Sequence, residues 1–105
     1  MTTPELVQAQ RAYFETGATR SPEFRLNALK QLQSAVQANE QALAEAMMSD
    51  FRKAPLEVYM TETGMVLDEI RFHLKHLRSW MRETRVPTPL AQFPSKSFRS
   101  PEPYG

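Results

Sequence analysis

Residues 55–81 read PLEVYMTETGMVLDEIRFHLKHLRSWM, and the spacing of their apolar side chains indicates one long amphipathic helix. One stripe advances in alternating steps of four and three residues: Leu56, Met60, Thr63, Leu67, Ile70, Leu74, Leu77 and Met81. A second stripe repeats every seven residues: Tyr59, Val66, His73 and Trp80. Together the stripes make an apolar face wider than one packed neighbour covers, so the sequence predicts that part of it stays wet.

The ends of this helix follow from its prolines. Pro55 fits the first helical turn, and Pro87 disfavours helical geometry in the residue before it, so we predict a helix over about 55–84. Gly64 lies in its middle, where glycine costs about 1 kcal/mol relative to alanine. The glycine therefore predicts the close approach of a packed neighbour.

Two further helices precede it, and each begins with the same kind of signal. Thr3-Pro4-Glu5 predicts a helix over about 4–16, with Thr3 as the cap and Gly17 as the stop. Ser21-Pro22-Glu23 predicts a second helix over about 22–49. Its apolar side chains recur at helical spacing: Leu29, Leu32, Val36, Leu43 and Met47.

These segments predict a mainly α fold, namely a long antiparallel helical hairpin preceded by a short helix. The helical part spans residues 1–85, and the hairpin connector lies near residues 50–54. Residues 86–105 form a proline-rich extended tail with five prolines: Pro87, Pro89, Pro94, Pro101 and Pro103. Within the tail we expect a strand only over Ser95–Ser100, and only against a partner.

Composition excludes several kinds of chemistry. The 105 residues contain no cysteine, which rules out a disulfide, a thiol nucleophile and a cysteine-ligated metal in this sequence. The net charge is +1 and the three glycines form no phosphate-binding loop. No apolar run reaches the roughly 18 residues of a spanning helix and no signal peptide opens the chain, so we expect a cytoplasmic protein without a transmembrane segment.

Two candidate sites have weak support in the sequence. Glu69, His73 and His76 share a helical face at metal-ligand spacing, but no second cluster completes the ligand set, so packing or surface histidines are favoured. The five methionines of the helical hairpin could line a binding groove, although methionine is more often core filler. These are Met47, Met48, Met60, Met65 and Met81. No serine, histidine and aspartate arrangement indicates hydrolase chemistry.

A basic stripe follows the second half of the third helix: Arg71, Lys75, Arg78, Arg82 and Arg85. It could meet nucleic acid, but acidic residues occupy the first half of the helix, so the charges follow the helix dipole. We expect the stripe to face solvent or protein groups outside its own helix, and we predict no nucleic-acid partner. The residues thus predict no catalytic, cofactor-binding or metal site.

Several ordered motifs resemble the N-terminal segment of the aldehyde dehydrogenase superfamily, closest to its class 3 or fatty-aldehyde branch. The first half contributes Arg11-Ala12-Tyr13-Phe14, Gly17, Thr19-Arg20, Arg25, Leu29, Leu32, Val36, Glu40, Leu43 and Asp50-Phe51-Arg52-Lys53. The second half contributes Glu62, Val66, Glu69-Ile70, Trp80, Phe93-Pro94-Ser95-Lys96-Ser97 and Pro101-Glu102-Pro103-Tyr104-Gly105. The two tail motifs are the most specific, and the resemblance covers about residues 5–105.

The resemblance implies a parent enzyme that oxidises an aldehyde to a carboxylic acid through a cysteine thioester, with NAD or NADP as cofactor. It also implies that the catalytic and cofactor-binding residues lie beyond Gly105, so none is assigned to this chain. We therefore expect an inactive N-terminal fragment with a structural role, whose partner is the remainder of the chain in a homodimeric parent. The alternative is a free-standing helical interaction module that uses the wide face of the third helix.

Overall fold

A computed structural model describes all residues 1–105. Five α-helical segments follow one another along the chain: α1 (Thr3–Glu15), α2 (Pro22–Ala38), α3 (Glu40–Phe51), α4 (Pro55–Val58) and α5 (Gly64–Trp80). A π-helical turn, Tyr59–Thr63, joins α4 to α5, so the backbone is helical without interruption from residue 55 to residue 80. The tail contains β1 (Thr84–Val86), a 3-10 turn (Leu90–Gln92) and β2 (Ser97–Arg99). The mainly α fold class is confirmed.

Helix α1 begins one residue earlier than predicted, because Thr2 rather than Thr3 is its N-cap. The Glu5 carboxylate accepts hydrogen bonds from the Thr2 backbone N–H at 2.7 Å and from the Thr2 hydroxyl at 2.9 Å. Pro4 then falls in the first turn, where its missing N–H leaves no bond unmade. Gly17 follows the helix with a φ of +78°, the left-handed conformation that glycine adopts without steric cost.

The prediction of one helix over 22–49 is wrong, because Asn39 divides it into α2 and α3. Asn39 has non-helical dihedral angles, φ −110° and ψ 9°. Its side-chain Nδ2 donates to the Ala35 carbonyl oxygen at 2.8 Å. Asparagine interrupts helices in this way because its short amide competes with the backbone for hydrogen bonds. Helix α3 then extends to Phe51, and Arg52 closes it in the left-handed conformation with φ 53°.

The third helix ends at Trp80 rather than near residue 84. Thr84–Val86 leave the helix because they form β1, which pairs with β2. The predicted close approach at Gly64 is found, but the neighbour is the helix's own backbone. A Cβ at this position would collide with the Tyr59 carbonyl oxygen in the π-helical turn. Glycine thus lets the extra residue of the π turn fit inside the helix.

The tail is not extended throughout, and its strand needs no partner chain. Strands β1 and β2 are antiparallel, with Thr84 opposite Arg99 and Val86 opposite Ser97. The Thr88 hydroxyl donates to Ser97 Oγ at 2.8 Å and adds a side-chain bond to the pair. The sequence did not predict this pairing, because β1 lies where the predicted third helix ends and the predicted tail begins. The two strands form a sheet of their own.

The hairpin is antiparallel, with the start of α2 beside the end of α5 and α3 beside α4. Its core is small: the buried apolar side chains are Val58, Leu67 and Ile70. The first stripe of the third helix supplies Leu67 and Ile70, which face α2. Helix α1 contributes no buried residue. None of the helices combines the length and apolar composition that crossing a bilayer requires.

Candidate functional site

Four ring side chains form a continuous cluster on one side of α5. The cluster, called here the aromatic face, consists of Phe72, His73, His76 and Trp80. The Phe72 and His76 ring centroids are 4.2 Å apart, and the His76 and Trp80 rings are stacked at 5.7 Å. His73 meets Trp80 edge-on at 5.1 Å. Phe72 and Trp80 remain 50% and 44% exposed, so the rings contact one another and water.

The sequence placed His73 and Trp80 in the second stripe and His76 on one helical face with Glu69 and His73, but it did not group Phe72 and His76 with the Trp80 ring. The spacing of the rings could have predicted the cluster. Phe72, His76 and Trp80 are four residues apart, and residues at this spacing are neighbours on a helix surface. The expectation that the second stripe stays wet agrees with the structure. Tyr59 and Val66 are about half exposed, like Trp80.

Hydrogen bonds fix the two histidine rings. His73 Nδ1 lies 2.9 Å from the Glu69 carbonyl oxygen, and His76 Nδ1 lies 2.8 Å from the Phe72 carbonyl oxygen. A carbonyl oxygen only accepts, so each Nδ1 carries the proton and donates it. The free nitrogen of each neutral ring is therefore Nε2. Nowhere in the chain do three or more histidine, aspartate or glutamate side chains gather where they could hold a metal ion.

The basic stripe is partly tied into the fold. Arg78 donates to the Glu23 carboxylate at 3.1 Å across the hairpin, which is the contact outside its own helix that the charge pattern suggested. Arg71 instead pairs within its helix, with Asp68 at 3.3 Å. The pKa of Glu23 is lowered, first by a hydrogen bond to its own backbone N–H and then by Arg78. Lys75, Arg82 and Arg85 form no ion pair.

The concave surfaces of the chain are open grooves. The largest, about 590 Å³, lies between α1 and the tail, beside Phe14 and Tyr104. A smaller apolar groove of about 230 Å³ lies between α3 and the third helix, and Met47 is the only methionine in it. Met48, Met60 and Met65 are exposed elsewhere, so the methionines neither fill a core nor share one groove.

Residues that carry the family resemblance bind one another, and one of these pairs joins residues 82 positions apart in the sequence. Arg20 pairs with Glu102, which ties the start of the hairpin to the most specific tail motif. Lys53 Nζ donates to Glu62 Oε1 at 2.9 Å and joins the end of α3 to the π-helical turn. Arg25 Nε donates to the Thr19 carbonyl oxygen at 2.8 Å. The motifs thus hold the segments in register and present no reactive group.

The sequence and the fold of the chain were compared with those of known proteins. No protein-family model matches the chain. The chain is 39% identical over 95 residues to 4,4'-diaponeurosporen-aldehyde dehydrogenase of Staphylococcus aureus, a match that covers 90% of this chain and 21% of that protein. It is 36% identical over 95 residues to human aldehyde dehydrogenase family 3 member B1, covering 90% of this chain and 20% of that protein.

A solved structure of a substrate-bound state of Staphylococcus aureus AldH superposes with a TM-score of 0.89 at 36% identity, over 99% of this chain and 23% of that chain. The helical hairpin and its tail are therefore the N-terminal part of a larger dehydrogenase fold. The curated homologues of the chain are class 3 aldehyde dehydrogenases, and its structural neighbour is an aldehyde dehydrogenase. It spans about a fifth of the length of the curated relatives it matches.

Proposed function

We propose that this chain is the N-terminal structural segment of an NAD(P)-dependent class 3 aldehyde dehydrogenase. In that parent, a cysteine outside this sequence attacks the aldehyde, NAD or NADP accepts the hydride, and water releases the carboxylic acid. The helices, residues 1–85, cover the nucleotide-binding domain, and the tail, residues 86–105, leads into its sheet. The observation that carries the proposal is the superposition over 99% of the chain on 23% of a larger solved chain.

The surface of the chain supports a structural role. Its accessible area is 8675 Å². A compact protein of this mass exposes about 6,000 Å², so the chain exposes about 2,700 Å² more than a self-contained domain. That excess is about three times the area that one partner contributes to a standard interface, about 800 Å². A segment that rests on a larger body has such a surface.

A homodimeric parent belongs to the same proposal, and its only support is the resemblance. The cytoplasmic location remains a prediction from the sequence. The free-standing interaction module remains the alternative function, and the half-exposed aromatic face favours it. The two proposals differ in one respect that can be observed: whether the cell makes residues 1–105 within a longer polypeptide that carries the catalytic cysteine.

Activity measurements test the proposal. The 105-residue chain, incubated with a long-chain aldehyde and NAD or NADP, is expected to give no NAD(P)H above the blank, while the polypeptide encoded by the whole gene gives turnover. The Staphylococcus aureus relative serves as the positive control. Turnover by the 105-residue chain, or a gene product without the dehydrogenase continuation, would overturn the proposal.

A further inference from the structure

We propose that the aromatic face of α5 is the surface by which this chain docks on the remainder of the aldehyde dehydrogenase polypeptide, with Trp80 as its anchor. This inference rests on the proposed function and names the docking surface that the proposed function leaves open. The partner surface is apolar and carries a hydrogen-bond acceptor for the indole N–H of Trp80.

The first support is the contiguity of the exposed rings. Single exposed apolar side chains are ordinary, whereas a joined patch of them marks a contact surface. Phe72, His76 and Trp80 are joined by centroid distances of 4.2 and 5.7 Å along two turns of the helix. Trp80 Nε1 is not a donor in any side-chain hydrogen bond of the chain, so a docked partner can supply its acceptor.

The second support is that the face is already ordered. Each histidine ring is held by a bond from its Nδ1 to a backbone carbonyl, and each packs against Trp80. Rings held in this way lose little further freedom on docking, so more of the contact energy remains for binding. Aromatic side chains in such clusters supply much of the binding energy in protein interfaces.

The third support is the assignment of the other faces of α5. Leu67 and Ile70 face α2 and are buried. Arg71, Lys75 and Arg78 make a basic face whose charges are best left in water. The aromatic face is therefore an apolar surface of α5 that no part of this chain covers, and the exposed Met65 and Val66 lie nearer the start of the same helix.

The occupant follows from covalent linkage. The chain adopts the fold that a much longer solved chain has over 23% of its length. The rest of such a polypeptide is present at a high effective concentration, because it is joined to the same tail. A separate protein or a second copy of the chain has to compete with that attached surface.

Hydroxyl-radical labelling of the polypeptide encoded by the whole gene tests the docking. Trp80 is expected to be labelled at least about tenfold more slowly than free N-acetyltryptophanamide, because docking removes it from solvent. Lys75, on the basic face of the same helix, is expected to stay reactive toward an amine acetylating reagent. Labelling of Trp80 near the 44% exposure of the uncovered face would overturn the inference.

Variants give an independent readout in the same polypeptide. Phe72→Ser and Trp80→Phe are expected to lower its thermal midpoint by several degrees, while the matched change Lys75→Ser leaves it unchanged. Equal effects of the three changes would overturn the inference. An active dehydrogenase with a fully labelled Trp80 contradicts this inference alone, whereas the absence of a longer, active polypeptide contradicts the proposed function.

Discussion

The carboxylate of Glu5 accepts two hydrogen bonds from Thr2 at the start of α1, so its charge state affects the stability of the first helical turn. The pKa of Glu5 lies below its ordinary value of 4.5, first because the Thr2 backbone N–H donates to the carboxylate and then because the Thr2 hydroxyl does. A carboxyl group with a lowered pKa in the folded state stabilises that state above its ordinary pKa, and the stabilisation is lost as the pH falls through the folded value.

We therefore expect the first turn of α1 to fray on acidification below about pH 4.5. Amide hydrogen exchange at Leu6, whose N–H bonds the Thr2 carbonyl, measures the fraying after correction for the intrinsic rate. Glu5→Gln is expected to remove the pH dependence, and Glu15→Gln at the other end of α1 serves as the control. An unchanged pH dependence in Glu5→Gln would contradict the assignment.

Gly64 has the strictest steric requirement in the chain. Alanine is ordinarily about 1 kcal/mol more favourable than glycine inside a helix. Here, however, a Cβ would collide with the Tyr59 carbonyl oxygen and lie 3.3 Å from the Tyr59 ring. We expect Gly64→Ala to destabilise the hairpin by about 1–3 kcal/mol, as for overpacking of a filled site.

Urea unfolding followed by circular dichroism measures that change, with Gly105→Ala as the control. A Cβ at Gly105 meets nothing within 4 Å, so the control variant should unfold like the parent chain. A Gly64→Ala chain more stable than the parent would show that the π-helical turn relaxes to an ordinary α-helix without loss.

At the scale of elements, the hairpin depends on very few side chains. Leu67 is 2% exposed and packs between α5 and α2, while Leu90 in the tail is 91% exposed. Leu67→Ala is expected to cost about 2–5 kcal/mol, because it removes buried methyl groups and leaves a cavity. Leu90→Ala, the same substitution, is expected to change the unfolding free energy by less than about 0.5 kcal/mol.

Chemical denaturation of the two variants measures this contrast. With only three buried apolar side chains in the chain, the loss at Leu67 is expected to separate the hairpin while leaving helical signal in its segments. Similar unfolding curves for Leu67→Ala and Leu90→Ala would contradict the packing described here.

The molecule as a whole is elongated, with a radius of gyration of 20.1 Å and extents of 67 × 33 × 21 Å. A compact chain of this length has a radius of about 13 Å, and an unfolded one about 33 Å. We expect small-angle X-ray scattering of the dilute 105-residue chain to give about 20 Å. A value near 13 Å would show that the chain buries its apolar faces by itself and would weaken both proposals.

The sequence by itself determined which segments are helical and, to within one residue, where the helices marked by proline begin, since these depend on near neighbours. Proline in the first turn, capping side chains and apolar spacing act within a few residues, and the family motifs are visible as a string. The absence of cysteine from this sequence is likewise a matter of composition.

Tertiary structure alone decided the pairing of β1 with β2. The division at Asn39 and the π-helical turn before Gly64 involve local contacts, with Ala35 and with Tyr59, that apolar spacing does not reveal. Strand pairing joins Thr84 to Arg99 across 15 residues, and no local pattern encodes that contact. The cluster of the Phe72, His76 and Trp80 rings could have been predicted from their helical spacing. The exposure of the second stripe was also predicted, whereas the exposure of Leu56 and Met60 in the first stripe was not, because burial depends on which residues the neighbouring helices cover.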